Sequence, residues 1–138
     1  MDTKTIIGAV LWWAEGSKSR RDKRWKNAVS YPLEMTNTDP LAIQMFLRFI
    51  REDLKIDESK LKLQLQVHEN DNVDYLEKYW SEVTKIPKSR FHKTIIRPQG
   101  NKVGKSKGTC KVRLHNKEIY LKAKAILENI LSGSGAVR

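Results

Sequence analysis

The sequence predicts an α+β domain: a mostly antiparallel sheet backed by helices. Two patterns carry this. Apolar residues at helical spacing alternate with apolar residues at strand spacing, in the order helix, two strands, helix, strand, helix, two strands, helix. Residues 61–68 alternate apolar and polar without a fault, which marks a strand with one buried face. The chain has 138 residues, 39% of them hydrophobic, with four Trp. That is one domain's worth, and a chain of this size buries roughly two-thirds of its unfolded surface. We expect a single domain over residues 1–131 and a flexible tail over 132–138.

Each element follows from local residues. Thr5 to Ala14 reads as a helix that is apolar all round: Ile6, Ile7, Val10, Leu11, Trp12 and Trp13 surround Gly8 and Ala9. Such a helix must be covered on more than one side. In a small domain, this points to a second chain as part of that cover. Gly16 stops it. Strands are expected around Ser17–Arg21 and Trp25–Met35, with a turn at Asp22-Lys23, and Pro32 places the second at an edge or bulge. Asn37-Thr38-Asp39-Pro40 starts a helix, capped by Thr38 or Asp39. Its stripe is Ile43, Phe46, Leu47, Ile50 and Leu54, ending near Lys55. After the 61–68 strand, Asp71 or Asn72 caps a helix over 72–86 with Val73, Leu76, Tyr79, Trp80 and Val83 inward, stopped by Pro87. Phe91–Arg97 and Thr109–His115 are strands separated by a Gly/Lys-rich loop over 99–107. The last helix runs from about Lys117 to Leu131 with Ile119, Ala123, Ile126, Leu127 and Ile130 inward.

Composition excludes several classes. One cysteine, Cys110, rules out an intramolecular disulfide framework and a Cys-rich zinc site. No apolar run reaches the ~18 residues of a membrane span. The longest, Ile6 to Ala14, ends at Glu15, and no signal peptide is apparent, so a cytoplasmic location is expected. His68, His92 and His115 lack metal-site spacing and read as solvated strand residues.

The formal charge is +11, and it is uneven. Residues 87–138 hold 13 Lys/Arg against Glu118 and Glu128, whereas residues 1–86 balance 14 against 14. A second basic cluster lies at Lys18, Arg20, Arg21, Lys23, Arg24 and Lys26. Two basic segments on one domain point to a polyanion partner, nucleic acid first. The outward strand positions agree. Lys18, Arg20, Arg24, Lys26, Lys62, Gln64, Gln66, Lys93, Arg97, Lys111 and Arg113 are residue types that hold phosphates and read purine edges.

The end of the first helix carries the chemistry. Glu15 closes an apolar helix, and Gly16 follows at once. A carboxylate there is costly unless paired or bound to a cation. Two copies from two chains would repel and call for a divalent ion. Mg²⁺ suits carboxylate and backbone oxygens, and it also binds phosphate.

Ile7-Gly8-Ala9-Val10-Leu11-Trp12-Trp13-Ala14-Glu15-Gly16-Ser17 resembles the motif of the LAGLIDADG homing endonucleases, with Ala14-Glu15-Gly16-Ser17 matching its ending. The resemblance extends over residues 5–131 through the hairpin, the Asn-Thr-Asp-Pro start and the strand–helix alternation. It implies an αββαββα core with a saddle-shaped sheet on double-stranded DNA, plus an extra helix at 72–86. A single motif implies a homodimer paired through the first helix, with Gly8 at the pairing surface. Glu15 and Ala14 would hold Mg²⁺, and Lys111 would be the catalytic lysine, with Lys93 and Arg113 as competitors. The implied activity is divalent-metal-dependent hydrolysis of DNA phosphodiesters. The chain departs from the motif in having Glu15 where Asp is usual, and Trp12 and Trp13 where Ile and Asp are common. The alternative is a non-cleaving DNA-binding regulator, or an RNA-binding splicing helper, on the same fold.

Overall fold

The computed structural model describes residues 1–16, 20–21, 29–98 and 107–133. Helix α1 (Thr3–Glu15) is followed by the short strands β1 (Arg20–Arg21) and β2 (Val29–Ser30) and by β3 (Pro32–Asn37). Then come α2 (Pro40–Arg48), β4 (Lys62–His68), α3 (Val73–Thr84), β5 (Ile95–Arg97), β6 (Thr109–His115) and α4 (Lys117–Gly133). The fold is α+β: β3–β6–β4–β5 form one sheet backed by helices, and β1 pairs with β2. Among the described residues no helix is long and apolar enough to cross a membrane.

Helix α1 begins earlier than Thr5 because the Asp2 side chain accepts the Lys4 N–H. Its buried face is Thr5, Gly8, Ala9 and Trp12. The Trp12 ring meets Tyr120 of α4 edge-on at 5.4 Å, and Tyr120 meets Tyr31 at 5.5 Å. On the opposite arc Ile7 and Trp13 remain 41% and 50% exposed, Val10 and Leu11 are half-buried, and Ala14 and Glu15 are exposed.

Gly8 lies on the inner face, which corrects its expected place at a pairing surface. A Cβ there would stand 2.4 Å from the Phe49 Cβ and 3.1 Å from the Met45 carbonyl oxygen. The missing side chain lets α1 close on the end of α2 within the same chain. Gly16 plays the matching part at the other end. It bridges to Met35 of β3, and a Cβ would meet Trp12 and the Glu34 carbonyl at under 3 Å.

Helix α2 is capped by Asp39, whose carboxylate accepts the Leu41 N–H, with Pro40 in the first position. It does not run as regular α-helix to Lys55. A π-helical turn occupies Phe49–Asp53, and the Leu54 N–H donates to the Phe49 carbonyl. The wider turn lets Phe49, Ile50 and Leu54 all face the core, and Lys55 ends it with φ 53°.

Strand β4 is as the alternation predicts, with Leu63, Leu65 and Val67 buried after Leu61. Helix α3 starts at the Asn72 cap and ends at Lys85, which is left-handed with φ 61°. The expected strand Phe91–Arg97 is shorter. Past Pro87 the chain makes a 3₁₀ turn at Lys88–Arg90, and the His92 N–H donates to the Leu63 carbonyl. The Thr94 hydroxyl is held by Glu77 of α3 at 2.7 Å. Regular pairing begins only at Ile95, and Lys93 lies outside the strand. The β4–β5 pairing is parallel, whereas β3–β6 and β6–β4 are antiparallel. A helix between adjacent strands brings the second back in the same direction, so α3 makes this pair parallel. The Trp25–Met35 strand divides at Tyr31. Pro32 opens β3, an edge of the sheet, where no ladder donor is lost.

Gly8→Ala should lower stability by about 1–3 kcal/mol, because overpacking outweighs the gain in helix propensity. Urea unfolding checks this: the midpoint should fall with an unchanged slope.

Candidate nucleic-acid interface

The strand period of two separates the sheet into a core face and an open face. Cys110, Val112 and Leu114 of β6 point inward with Leu33, Met35, Leu63, Leu65 and Val67. Burial pushes the Cys110 thiol well above its usual range, which leaves it an inert core residue. The other set of side chains forms the open face, and the register arranges it in rows. Thr36, Lys111 and Gln64 lie side by side across three strands. Glu34, Arg113 and Lys62 form the next row, and Thr109, Gln66 and Ile95 another. His68 stands beside Arg97 at the parallel edge. A shallow depression of about 230 Å³ lies here, lined by Thr36, Gln64, Gln66, Ile95, Thr109 and Lys111 among others.

The structure thus brings Lys62, Gln64, Gln66, Arg97, Lys111 and Arg113 onto one surface. Gln64 is held in place, its Nε2 donating to the Lys93 carbonyl at 2.9 Å. Lys93 therefore joins the face through its backbone at the edge of β4. Arg20 pairs with Ser30 in the small β1–β2 sheet. Lys18, Arg24 and Lys26 lie outside the described residues, as do the Asp22-Lys23 turn and most of the Gly/Lys-rich loop. Lys107, at the end of that loop, places its ammonium 5.3 Å and 5.4 Å from the Tyr75 and Tyr79 ring centres.

Glu34 is the residue that the sequence reading missed. It is buried, on the open-face side of β3, and two cations and a histidine of β6 converge on it. Lys111 Nζ lies 3.2 Å from Oε2, His115 Nε2 3.0 Å from Oε1, and Arg113 3.9 Å from Oε1. Burial works to raise the Glu34 pKa, but Lys111, Arg113 and His115 together outweigh it and hold the carboxyl below its ordinary value. His115 is thus paired, and not merely solvated as expected. A charged residue between Leu33 and Met35 on a predicted strand was the available signal: a lone acid among outward lysines and arginines.

The end of α1 meets the same sheet at its β3 edge. The Gly16 bridge to Met35 places the backbone beside Glu15 about 10 Å, or two strand spacings, from β6. Within one chain Glu15 and Lys111 form no ion pair, because the Lys111 ammonium is turned to Glu34. Among the described residues no group of three or more His, Cys, Asp or Glu side chains gathers as a metal cluster. A cation nevertheless fits the α1 terminus. The last carbonyls of a helix carry its negative end, Glu15 adds a full charge there, and no basic residue sits in that turn. Glu15 and the Ala14 carbonyl are the donors on offer, on two residues that are both exposed.

No protein-family model matches the chain, and neither a curated protein nor a solved structure is found similar to it.

Glu34→Gln should cost about 1.5–3 kcal/mol near neutral pH, the range for hydrogen bonds to charged groups. The pH dependence has a definite sign. The native pKa lies below the ordinary carboxyl value of 4.5, so this stabilisation is complete above about pH 4.5 and is lost as pH falls through the native value. Chemical denaturation of both proteins should show a stability gap that is constant near neutrality and narrows in acid.

Proposed function

We propose that this protein is a divalent-metal-dependent endonuclease of duplex DNA, acting as a homodimer paired through α1, in keeping with its resemblance to the LAGLIDADG homing endonucleases. One observation carries the reading: a partly exposed apolar stripe along α1, Ile7, Val10, Leu11 and Ala14, that leads directly to an exposed Glu15 beside a basic sheet face. Residues at this spacing share one side of a helix. A two-fold pairing along the stripe sets two Glu15 carboxylates near each other, with small Ala14 permitting close approach.

Glu15 and the Ala14 carbonyl of each protomer would hold Mg²⁺. When bound, Mg²⁺ supplies a Lewis acid for phosphodiester hydrolysis. The chain's own residues do the rest. Lys62, Arg97, Lys111 and Arg113 bind backbone phosphates and set the register of the duplex. Gln64 and Gln66 present amides that match the adenine edge in a major groove. The Lys93 carbonyl keeps the Gln64 amide in one orientation. Lys111 contributes positive charge at the strand nearest the α1 terminus but one.

The pairing of Lys111 with Glu34 favours a second reading, a DNA-binding regulator that does not cleave. The two are separated by selection on a randomised duplex library with Mg²⁺, using the native protein and Glu15→Gln. The endonuclease reading expects cut sites with the native protein only, none with either protein once the metal is chelated, and bound but uncut sites with Glu15→Gln. Bound, uncut sites for both proteins would establish the regulator. No enrichment of duplex at all would reject both and turn attention to RNA.

A further inference from the structure

We propose that Glu34 is a specificity-determining residue: it gathers Lys111, Arg113 and the His115 ring into one fixed cradle for a single backbone phosphodiester, while cancelling one of the two cationic charges. The proposal rests on the duplex-binding reading above. Its basis is a contrast of depth. The Glu34 side chain is 10% exposed, whereas Lys111, Arg113 and His115 are 34%, 33% and 45% exposed. The acid lies underneath and the cations lie on top, so an approaching polyanion meets the donors and not the carboxylate.

The register explains why the three converge. Glu34 lies directly opposite Arg113, and Lys111 and His115 stand two residues to either side on the same face of β6. Successive outward side chains of one strand thus reach a single carboxylate on the next. His115 Nε2 lies 3.0 Å from Oε1, and Arg113 approaches the same oxygen while Lys111 takes the other. Long cationic side chains otherwise sample many rotamers, and ordering them on a ligand costs affinity. Here that ordering is done in the free protein. Such deep burial also excludes the role of an acid that accepts from a cytosine amino group, since a base edge cannot reach it.

Two consequences follow. With Glu34 in place, the cradle's excess charge is small, so random duplex gains little from it. A phosphate placed in register gains two oriented cationic donors, Lys111 and Arg113, beside the His115 ring. Glu34→Gln should therefore bind a random-sequence duplex more tightly at low salt, by about threefold, with a salt dependence steeper by about one counterion. Its preference for a selected duplex over the random one should fall. Arg113→Ala should bind both duplexes more weakly, with the slope reduced by about one. Titration of the native protein with inorganic phosphate, followed by nitrogen-15 NMR of the His115 ring and the Arg113 side chain, should show both signals shifting together.

A merely structural Glu34 would lower the unfolding temperature and leave the salt slope and the duplex preference unchanged, and that result would overturn the proposal. If the native protein binds no duplex, the function proposed above fails by itself. The phosphate titration then decides: joint shifts of His115 and Arg113, lost in Glu34→Gln, sustain the cradle, and their absence ends it.

Discussion

Helix α1 is apolar on nearly every side, and the described structure seals one side of it while leaving Ile7 and Trp13 exposed. Its inner face is sealed as tightly as backbones allow. Gly8 admits Phe49, Trp12 lies under Tyr120, and Gly16 docks the last turn onto β3. Each contact needs a small residue or a large ring at one position, and together they fix the helix against α2, α4 and the sheet. The outer arc receives none of this. Ile7 and Trp13 stay open to water. Because the helix is anchored at both ends, whatever pairs with its outer arc also sets the position of Glu15 relative to the basic sheet.

The sheet obeys a second constraint, the alternation of sides along each strand. Aliphatic residues at every second position of β4 and β6 oblige Lys62, Gln64, Gln66, Lys111 and Arg113 to share the opposite face. Placing like charges on neighbouring strands is unfavourable, and Lys62 stands directly across from Arg113. Glu34 relieves that repulsion from the other side of β6. One carboxylate beneath the sheet's open face thus meets Lys111, Arg113 and His115 together.

Much of this was legible in the residues. The faultless alternation over 61–68 defines β4 and its open face, because burial on one side leaves little choice of register. Asp39-Pro40 carries its own helix start, since the cap and the ring geometry are both local. The apolar character of α1 was legible from composition alone. What escaped was decided by tertiary contact. The inward turn of Gly8 depends on where Phe49 arrives, and Phe49 arrives through a π-helical turn with no sequence signature. The parallel pairing of β5 depends on α3 carrying the chain over the sheet, and Thr94 is held off the ladder by Glu77. The Glu34 cluster joins residues about eighty positions apart, so only the β3–β6 register brings it together.

The claim on which the functional reading turns is that the outer arc of α1 pairs with a second copy. Sedimentation equilibrium of the native protein beside Trp13→Glu and Ile7→Glu tests it most directly. The account predicts a native mass of twice the 16.0 kDa chain at micromolar concentration. It predicts a folded monomer for each variant, with native circular dichroism. A native protein that remains monomeric with and without duplex DNA, or a dimer indifferent to both substitutions, would contradict it.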